Sequence, residues 1–588
     1  MAKKIVNFTG LQDFELIAAS SGGMALKNQQ GFLGGDNPLL EAKHQVGSLP
    51  IKPETDYIFF GLGLGYNVKL LEAVCDKATK FVIIERDLRL IFAALSIVDI
   101  STLLQSNRLL LIGDIGPGDT AINFANISMY LAMFNPQYLE LQSSVILHQE
   151  YYKQVKREVI SSINASIVGL KSSMELAQAD IFNRFDNLAN YIKSSLNLEP
   201  QKYSEKSSTI LVAAGPSLQK NIEVLKKTNL HICAVGTVVK RLLSESIIPD
   251  SIVTMDYSIA STKYLEDLKI PEGVKWPVLI VDARSHKRAA DIYKGPVIFL
   301  PDEKLFQLCK GKKPTPYQIF KPVATVAHQA FCFLQRLGFA NIILCGLDLG
   351  NPWGVTHVPG ISTYEEWFGS LNRFNTYEML EWEQILRFRS ELIKIKDVED
   401  NWMYSDSLML TYLDAFNKAI LSSKARVIDA TEGGALKNAT EIMSLNTAIQ
   451  IDNTKITFKN LKQDVIDYKK LLQQIICNLE KIISIVEELI NAINNNVGLD
   501  IIVHLQKQLL TFDLLIEIAQ DLEVHDSLKL KKIDRQIEAE TDIKKRKALQ
   551  VKRDIFYIQI IKRGSIRLLK KLKFNMGEYE NNSSNRSE

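Results

Sequence analysis

The 588-residue sequence has no long uninterrupted apolar segment. None of its apolar runs approaches the ~20 residues that a membrane-spanning helix requires, so we expect no membrane span. The first eight residues are not followed by the apolar stretch that is typical of a secretory signal peptide. These two absences favour a cytoplasmic protein.

Paired cysteines and a strong net charge are also lacking. The six cysteines are scattered and form no Cys-x-x-Cys pair, which predicts buried reduced thiols and neither disulfides nor zinc. No cluster of histidine and aspartate has the spacing of metal ligands, so we expect no metal. The net charge of the whole chain is only +3, which points neither to nucleic acid nor to a membrane as a partner.

Apolar residues make up 46% of the chain, and their spacing predicts two α/β regions followed by a helical one. In residues 1–195 and again in residues 205–447, short apolar strands alternate with helical stretches, which is typical of parallel sheets. The strands of the second region are rich in Ile, Val and Leu, so both faces of that sheet should be covered. The predicted strands span residues 57–60, 81–84 and 109–112 in the first region, and 209–213, 232–235, 251–255, 278–282, 297–300, 342–345 and 426–428 in the second.

Residues 450–575 are predicted to form a helical domain. From Leu461 to Ile493 the apolar residues follow steps of four and three, which is a heptad seam, and a second helix resumes this spacing after a short turn. Residues 529–573 contain 16 basic and five acidic residues, which indicates either a solvated helical face or a surface that docks an acidic acceptor protein. Residues 576–588 are expected to be a disordered tail.

The strongest chemical signal follows the first strand of the second region. There the chain continues into Gly215-Pro216-Ser217 and then into a helix. Glycine lets a ligand approach the backbone closely, proline suits the first turn of a helix, and serine adds a hydroxyl. Exposed amides at a helix start favour a phosphate, although a plain strand-to-helix turn is an equally open interpretation.

Small and polar residues follow the ends of later strands, where ligands bind in parallel sheets. Gly236 and Thr237 follow the second strand of this region, and Asp256 follows the third. A Gly-x-Asp segment, which starts at Gly346 and ends at Asp348, follows the strand at 342–345. Each of these signals is weak alone, because an aspartate at a strand end is as often a helix cap.

In this order the segments resemble the nucleotide-sugar domain of the motility-associated factor (Maf) family of flagellin glycosyltransferases. They are also similar, more distantly, to bacterial sialyltransferases over about residues 205–440. The shared features are the strand with Gly-Pro-Ser-Leu, a small-hydroxyl segment at 324–326, an apolar helix, and the strand that ends in Gly-x-Asp. Residues 425–435 resemble the segment that closes the domain in Maf proteins, and the Maf resemblance extends to both ends of the chain.

The resemblance implies an N-terminal Rossmann-like α/β domain, a central Rossmann-like nucleotide-sugar domain of sialyltransferase type, and a C-terminal helical bundle. It further implies a CMP-nonulosonate:protein O-transferase that moves a pseudaminic or legionaminic acid from a CMP-sugar to Ser or Thr of flagellin. Such an enzyme would be needed for flagellum assembly and motility. The implied partners are the CMP-sugar and flagellin, and a homo-oligomer is also open.

The resemblance also implies residue roles. The turn at 215–217 matches the stretch that holds the CMP phosphate and ribose, and Thr325 matches a donor-binding serine. Thr237 and Asp256 match asparagines that hold the nucleotide in the sialyltransferases, and the changed residue types leave their contacts open. Gly236 and Gly346 belong to the same cofactor-binding set.

The sialyltransferases use a histidine as general base, but the matching stretch here, 373–378, contains none. The candidate bases are therefore Asp256, Asp348, Glu378 and His357. His357 lies in a polar loop rich in turn residues, where we expect it to be exposed and able to transfer a proton. The base would deprotonate a Ser or Thr hydroxyl, which attacks the anomeric carbon with inversion while amides of the turn at 215–217 stabilise the departing CMP.

A second glycine-rich turn lies at residues 61–65, after the first predicted strand, and Glu85 ends the next strand. This is the pattern of an S-adenosylmethionine site, in which Glu85 would bind a ribose. The preferred interpretation is an α/β scaffold that has kept the geometry of the turn.

Two other functions compete with glycosyl transfer. A branch of archaeal pterin pyrophosphokinases shares the strand-Gly-Pro-Ser domain and uses ATP, although the length and helical tail of this chain argue against that function. A non-enzymatic flagellin-binding chaperone would use the heptad helices instead, and it would not need the turn at 215–217.

Overall fold

The computed structural model describes residues 14–584 apart from residues 21, 30, 34, 52–54, 115, 117–123, 125–126, 195–206, 316–318, 321–322, 324, 388–391, 439, 452–465 and 496. The chain forms two compact units. The N-terminal unit comprises Met1–Leu176 and Glu523–Ile561, and the central unit comprises Ala177–Leu522 and Lys562–Glu588. Of the helices in the described ranges, none has both the length and the hydropathy that crossing a bilayer demands.

The N-terminal unit contains a parallel four-stranded sheet and an antiparallel three-stranded one. Its strands are β1 (Glu15–Ala18), β2 (Met24–Asn28), β3 (Gly31–Phe32), β4 (Tyr57–Phe60), β5 (Phe81–Glu85), β6 (Leu109–Gly113) and β7 (Gln137–Glu140). The parallel sheet has the order β6-β5-β4-β7 and contains all three strands predicted for this region. Every side chain of β4 and β5 is buried, which explains their uninterrupted apolar sequences.

The helices of the N-terminal unit pack beside these strands or belong to its C-terminal segment. They are Pro38–Gly47, Tyr66–Val74, Leu88–Ile97, Ser101–Gln105, Gln142–Val145 and Val524–Ala539. Two long helices, Gln149–Ser194 and Ile543–Ser584, contribute residues to both units.

An eight-stranded parallel sheet forms the core of the central unit. Its strands are β8 (Ser208–Val212), β9 (His231–Val235), β10 (Ser251–Thr254), β11 (Val278–Val281), β12 (Val297–Phe299), β13 (Asn341–Cys345), β16 (Arg426–Asp429) and β17 (Glu441–Ile442), and a separate hairpin consists of β14 (Leu392–Lys396) and β15 (Trp402–Asp406). All seven strands predicted for this region are present. The sheet order β12-β11-β10-β9-β8-β13-β16-β17 makes the junction of β8 and β13 a topological switch point, where ligands bind in open α/β sheets.

Helices surround this sheet and continue into the C-terminal part of the chain. They are Leu218–Leu225, Val239–Ser244, Arg288–Asp291, Glu303–Lys310, Val326–Leu337, Ser362–Glu365, Tyr377–Leu386, Ser407–Leu421, Leu445–Ala448, Tyr468–Asn494, Leu499–Leu509 and Asp513–Leu522. The chain is therefore mixed α/β with parallel sheets and a helical C-terminal region, as the sequence predicts.

The heptad seam is present in helix Tyr468–Asn494, which buries the apolar face from Leu472 to Leu489 and contacts helix Leu499–Leu509. The first two seam positions, Leu461 and Val465, lie outside the described residues. The tail predicted to be disordered from residue 576 instead continues as helix to Ser584. Extending a helix that is already formed costs little, so a polar sequence is enough to propagate it.

The C-terminal helices do not form a third compact unit, because residues 523–561 pack with the N-terminal unit. Arg535 and Asp56, which are both buried, are paired there with 2.8 Å between Nη2 and Oδ1. Many basic residues of the 529–573 segment are likewise paired within their own unit, whereas residues 544–547 are exposed. The ion pairs are Lys529–Asp526, Arg553–Asp534, Lys562–Glu487, Lys571–Asp186 and Lys573–Glu480.

All six cysteines are free, as predicted, but they are not uniformly buried. Cys233 and Cys345 lie within strands of the central sheet and are buried, and burial raises the pKa of both thiols. Cys477 is exposed, because it lies on the outer face of the helix that carries the heptad seam.

Candidate active site

The switch point of the central sheet joins two segments that the sequence analysis had singled out. Ser217, in the turn after β8, donates its hydroxyl proton to Oδ2 of Asp348, after β13, over 2.8 Å. The amide of Gly215 donates to the carbonyl oxygen of Gly346 over 2.8 Å. Two turns that lie far apart in the sequence are thus locked together at the carboxyl edge of the sheet.

Glycines make this close approach possible. A Cβ atom on Gly215 would lie 1.8 Å from Oδ2 of Asp348, and one on Gly434 would lie 2.4 Å from its Cα. The amide of Ala435 donates to the carbonyl oxygen of Asp348 over 2.7 Å. Gly433 and Gly434 are not among the predicted site residues. They do lie in the segment at 425–435, which resembles the one that closes the domain in Maf proteins.

Asp348 is 2% exposed, and this burial raises the pKa of its carboxyl group to about 6, although the hydrogen bonds from Ser217 act in the opposite direction. Its second oxygen, Oδ1, is buried and has no hydrogen-bond partner in the described part of the chain. The ammonium group of Lys437 also lowers the pKa of Asp348, and it forms a fully buried ion pair with Asp429 at 3.1 Å.

Two predictions about the turn are corrected by this geometry. Its amides are not exposed, because Gly215 donates to Gly346, Ser217 donates to Asp348 over 3.3 Å, and Pro216 has no N–H. The hydroxyl of Ser217 is fully buried and donates to Asp348, so it holds the turn in place. Sequence alone could not reveal this, since the acceptors lie about 130 residues away.

The loop that carries His357 lies next to this turn, because the amide of Val358 donates to the carbonyl oxygen of Ala214 over 2.9 Å. His357 is half-buried, with Nδ1 3.2 Å from Oγ1 of Thr356. Burial lowers the pKa of His357 to about 4. The prediction of an exposed histidine with an ordinary pKa was therefore wrong, because the folded loop removes part of the side chain from solvent.

Tyr364 and Glu381, which carry no recognisable signal in the sequence, brace the same loop. The Tyr364 hydroxyl donates to the carbonyl oxygen of His357 over 2.8 Å and also bonds to the Glu381 carboxylate. The amide of Thr356 donates to Oε2 of Glu381 over 3.0 Å. The loop is thus held by a buried carboxylate on helix Tyr377–Leu386.

Asp256 follows β10 and is half-buried. Burial raises the pKa of its carboxyl group. The loop around it is fixed through the backbone, because the amide of His286 donates to the Asp256 carbonyl oxygen over 3.0 Å and the side chain of Asn183 donates to the carbonyl oxygens of Tyr257 and Arg284. Asp256 is thus a carboxylate on a supported loop that keeps part of its surface open to solvent.

The remaining predicted residues lie in different environments. Gly236 is buried and Thr237 half-buried directly after β9, at the same sheet edge. Thr325 caps helix Val326–Leu337, because its hydroxyl oxygen accepts from the amide of His328 over 3.1 Å. Glu378 is exposed in the first turn of helix Tyr377–Leu386. In the described ranges no three His, Cys, Asp or Glu residues form a group that could hold a metal ion.

Four amides of the glycine turn at 61–65 of the N-terminal unit, and its acidic partner, are engaged within the protein. Glu85 is fully buried, and its carboxylate accepts from the amide of Leu62 over 2.8 Å, from the Ser144 hydroxyl over 2.6 Å and from the Tyr152 hydroxyl over 2.8 Å. The carboxylate that a ribose would need is therefore engaged, which favours a scaffold that has kept the turn geometry.

Parts of this chain are similar to known proteins in sequence and in fold. Residues 182–353 match the family model described as 6-hydroxymethylpterin diphosphokinase MptE-like. Among curated proteins no match is found. Among solved structures, a Maf glycosyltransferase from Magnetospirillum magneticum AMB-1 superimposes with a TM-score of 0.55, covering 96% of this chain and 93% of the other at 17% identity. This chain has the fold of that Maf glycosyltransferase.

The resemblance to Maf proteins that the sequence indicated is thus confirmed at the level of the fold. The MptE-like match covers β8 to β13, the part that contains the Gly-Pro-Ser turn and the Gly-x-Asp segment. The Maf fold extends the likeness to both the N-terminal sheet and the C-terminal helices.

Proposed function

We propose that the protein is a glycosyltransferase that moves a nonulosonic acid of the pseudaminic or legionaminic type from a CMP-sugar to Ser or Thr of flagellin. The observation that carries the proposal is the fold likeness to a glycosyltransferase over 96% of the chain. The carboxyl edge of the central sheet supports it, because β8 and β13 at the switch point and the neighbouring β9 and β10 are all followed there by small or polar residues.

In this proposal Asp256 is the general base. It is the predicted candidate at the sheet edge that combines a solvent-accessible side chain with a raised pKa, and a raised pKa strengthens a carboxylate as a proton acceptor. The carboxylate removes the proton of the acceptor hydroxyl, the hydroxyl oxygen attacks the anomeric carbon, and the bond from that carbon to the phosphate oxygen of CMP breaks with inversion.

Asp348 and Ser217 are positioning residues in the same scheme. They are too deeply buried to meet the substrate, and their hydrogen bond fixes the turn after β8 against β13. Thr237 and Thr325 supply the hydroxyls for the donor. Thr325 retains its own proton for donation, since its oxygen only accepts in the helix cap.

His357 and Glu378 are weaker candidates for the base. At neutral pH a histidine with a pKa of about 4 carries no charge and has little affinity for a proton. Glu378 is exposed in the first turn of helix Tyr377–Leu386 and does not follow a strand of the sheet. His357 therefore serves to shape the loop beside the turn at 215–217.

A pterin pyrophosphokinase is the second candidate, because the MptE-like family model matches residues 182–353. The shared segment accounts for nucleotide binding in either function, so the choice depends on the donor. The purified protein should be incubated separately with a CMP-nonulosonate and with ATP plus 6-hydroxymethylpterin. Release of CMP in the first reaction supports the glycosyltransferase, and release of AMP in the second, without CMP release in the first, supports the pyrophosphokinase.

A further inference from the structure

An exposed aromatic surface is formed by the part of the chain that connects β13 to β16. It lies outside the residues assigned to the site. We call Trp353, Trp382, Trp402 and Tyr404 the aromatic ribbon. Trp353 is 60% exposed, Trp402 59% and Tyr404 37%. Large apolar side chains gathered at a surface mark an interaction site more often than a solvated face.

The β14–β15 hairpin presents one end of the ribbon. Lys396 pairs with Trp402 and Lys394 with Tyr404 in the antiparallel register, so these four side chains share one face. The ammonium groups of Lys394 and Lys396 lie 5.1 and 4.6 Å from the centre of the Trp402 ring. On the opposite face Met403 is only 3% exposed whereas Ile393 is 39% exposed, so β15 is the strand that packs on the central unit.

Contacts connect the ribbon to the candidate active site. Tyr404 meets the ring of Trp382 edge-on at 6.0 Å, and a Cβ on Gly354 would lie 2.7 Å from that ring. Trp353, which precedes Gly354, lies under the Lys220 ammonium group at 5.3 Å.

Lys220 completes the connection. Its ammonium group donates to the carbonyl oxygen of Glu432 over 2.7 Å, next to the glycines that cover Asp348. The ribbon therefore extends from the hairpin to the loop that carries His357. Lys220 links it to Glu432, which precedes the glycines over Asp348.

The outer edge of β14 adds a second binding element. In the described part of the chain, β14 and β15 form a two-stranded sheet, and β15 also receives the amide of Asn351 at the Tyr404 carbonyl oxygen over 2.7 Å. An open edge accepts an extended polypeptide by strand addition, which supplies main-chain hydrogen bonds. Lysines on the edge strand, such as Lys394, disfavour pairing with a second copy of the same strand.

We propose that the aromatic ribbon and the edge of β14 bind an extended segment of the acceptor protein on either side of its reactive hydroxyl. The segment places apolar side chains on the rings. It places an acidic side chain beside the positive charge of Lys394. This inference rests on the proposed function. It assigns acceptor binding to the central unit, beside the glycines that cover Asp348, and not to the basic helices.

The test measures donor and acceptor steps separately in the full-length protein. Trp402→Ala and Trp353→Ala should each raise the KM for flagellin at least 10-fold, while hydrolysis of the CMP-sugar without acceptor and the KM for the donor stay within twofold. Trp402→Phe keeps a ring and should restore the acceptor KM to within threefold, which separates a binding role from a folding defect. Phe574→Ala is the matched control, because Phe574 is 59% exposed, lies in the central unit and should leave both KM values unchanged.

Other results would overturn the inference. A raised donor KM with unchanged acceptor KM would assign the rings to the sugar. Unchanged acceptor KM in both alanine variants, with normal donor hydrolysis, would reject the ribbon while leaving the proposed function intact. A wild-type protein that neither hydrolyses nor transfers the donor would reject both.

Discussion

The hydroxyl of Ser217 lies 2.8 Å from the carboxylate of Asp348, and this hydrogen bond joins β8 to β13 at the switch point of the central sheet. Because the carboxylate is 2% exposed, water cannot stabilise its charge. Ionisation of the Asp348 carboxyl group therefore lowers the stability of the folded protein.

We predict that Asp348 makes the protein less stable as the pH rises from about 4 to about 6. The unfolded group titrates near 3.9, whereas the folded group has a pKa of about 6, so in this interval only the folded state keeps the proton. The stabilising proton is fully bound below the unfolded pKa and is lost as the pH passes the folded pKa. A shift of this size corresponds to about 3 kcal/mol.

Asp348→Asn tests this, because the amide oxygen still accepts from Ser217 but does not titrate. Urea unfolding at pH 4 and pH 7 measures the free energy of unfolding of both proteins. The difference between variant and wild type should be more favourable to the variant at pH 7 than at pH 4. If both proteins show the same change in the free energy of unfolding between the two pH values, Asp348 does not titrate in this range.

Asp256→Asn is expected to lower kcat for transfer by about 10²–10⁴, because the acceptor hydroxyl loses its general base. The donor KM and the melting temperature should change little, since the backbone, and not the carboxylate, anchors this loop. Glu378→Gln is the matched carboxylate control and should stay within threefold of the wild type. A larger loss in Glu378→Gln than in Asp256→Asn would transfer the base role to Glu378.

Arg535→Met is expected to destabilise the N-terminal unit by about 3–5 kcal/mol, because it leaves Asp56 buried without its partner. The variant also loses the stacking of the guanidinium on Phe134, at 4.5 Å. Arg553→Met breaks a pair that is about one-third exposed and should cost less than about 1 kcal/mol. A wild-type melting temperature in Arg535→Met would show that the pair with Asp56 does not stabilise the N-terminal unit.

We expect S-adenosylmethionine to leave the melting temperature unchanged, because the Glu85 carboxylate is engaged with Leu62, Ser144 and Tyr152. A CMP-nonulosonate at ~100 times its dissociation constant should add about 2.7 kcal/mol of stability. Thermal scans with each ligand alone make the comparison. A higher melting temperature with S-adenosylmethionine and an unchanged one with the CMP-sugar would assign ligand binding to the N-terminal sheet and not to the central sheet.

The strands were predictable because each is a short apolar run covered on both faces, as in β8 and β13, and such runs can be recognised locally. The assignment of the C-terminal helices to units was not predictable. The heptad spacing identifies which face of helix Tyr468–Asn494 is buried but not what covers it, and the pairing of Arg535 with Asp56 spans 479 residues. Some acidic partners of the basic segment, such as Asp186 and Glu480, lie far from it in the sequence, so these ion pairs could not be predicted.

That the candidate residues share one edge of the sheet was predictable, and their contacts were not. Residues after strand ends, such as Asp256 and Thr237, lie at one edge because the sheet is parallel. Sequence cannot show that the Ser217 hydroxyl faces inward or that His357 is half-buried. The β14–β15 hairpin was missed, although its alternation of Ile393, Lys394 and Ile395 is a strand signal.

The most direct test of the account is the intact mass of flagellin after incubation with this protein and a CMP-nonulosonate. The account predicts a mass increase by whole nonulosonic acid residues on Ser or Thr, with one CMP released for each residue added, and loss of the increase in Asp256→Asn. Unchanged flagellin mass, together with AMP release from ATP and 6-hydroxymethylpterin, would contradict it.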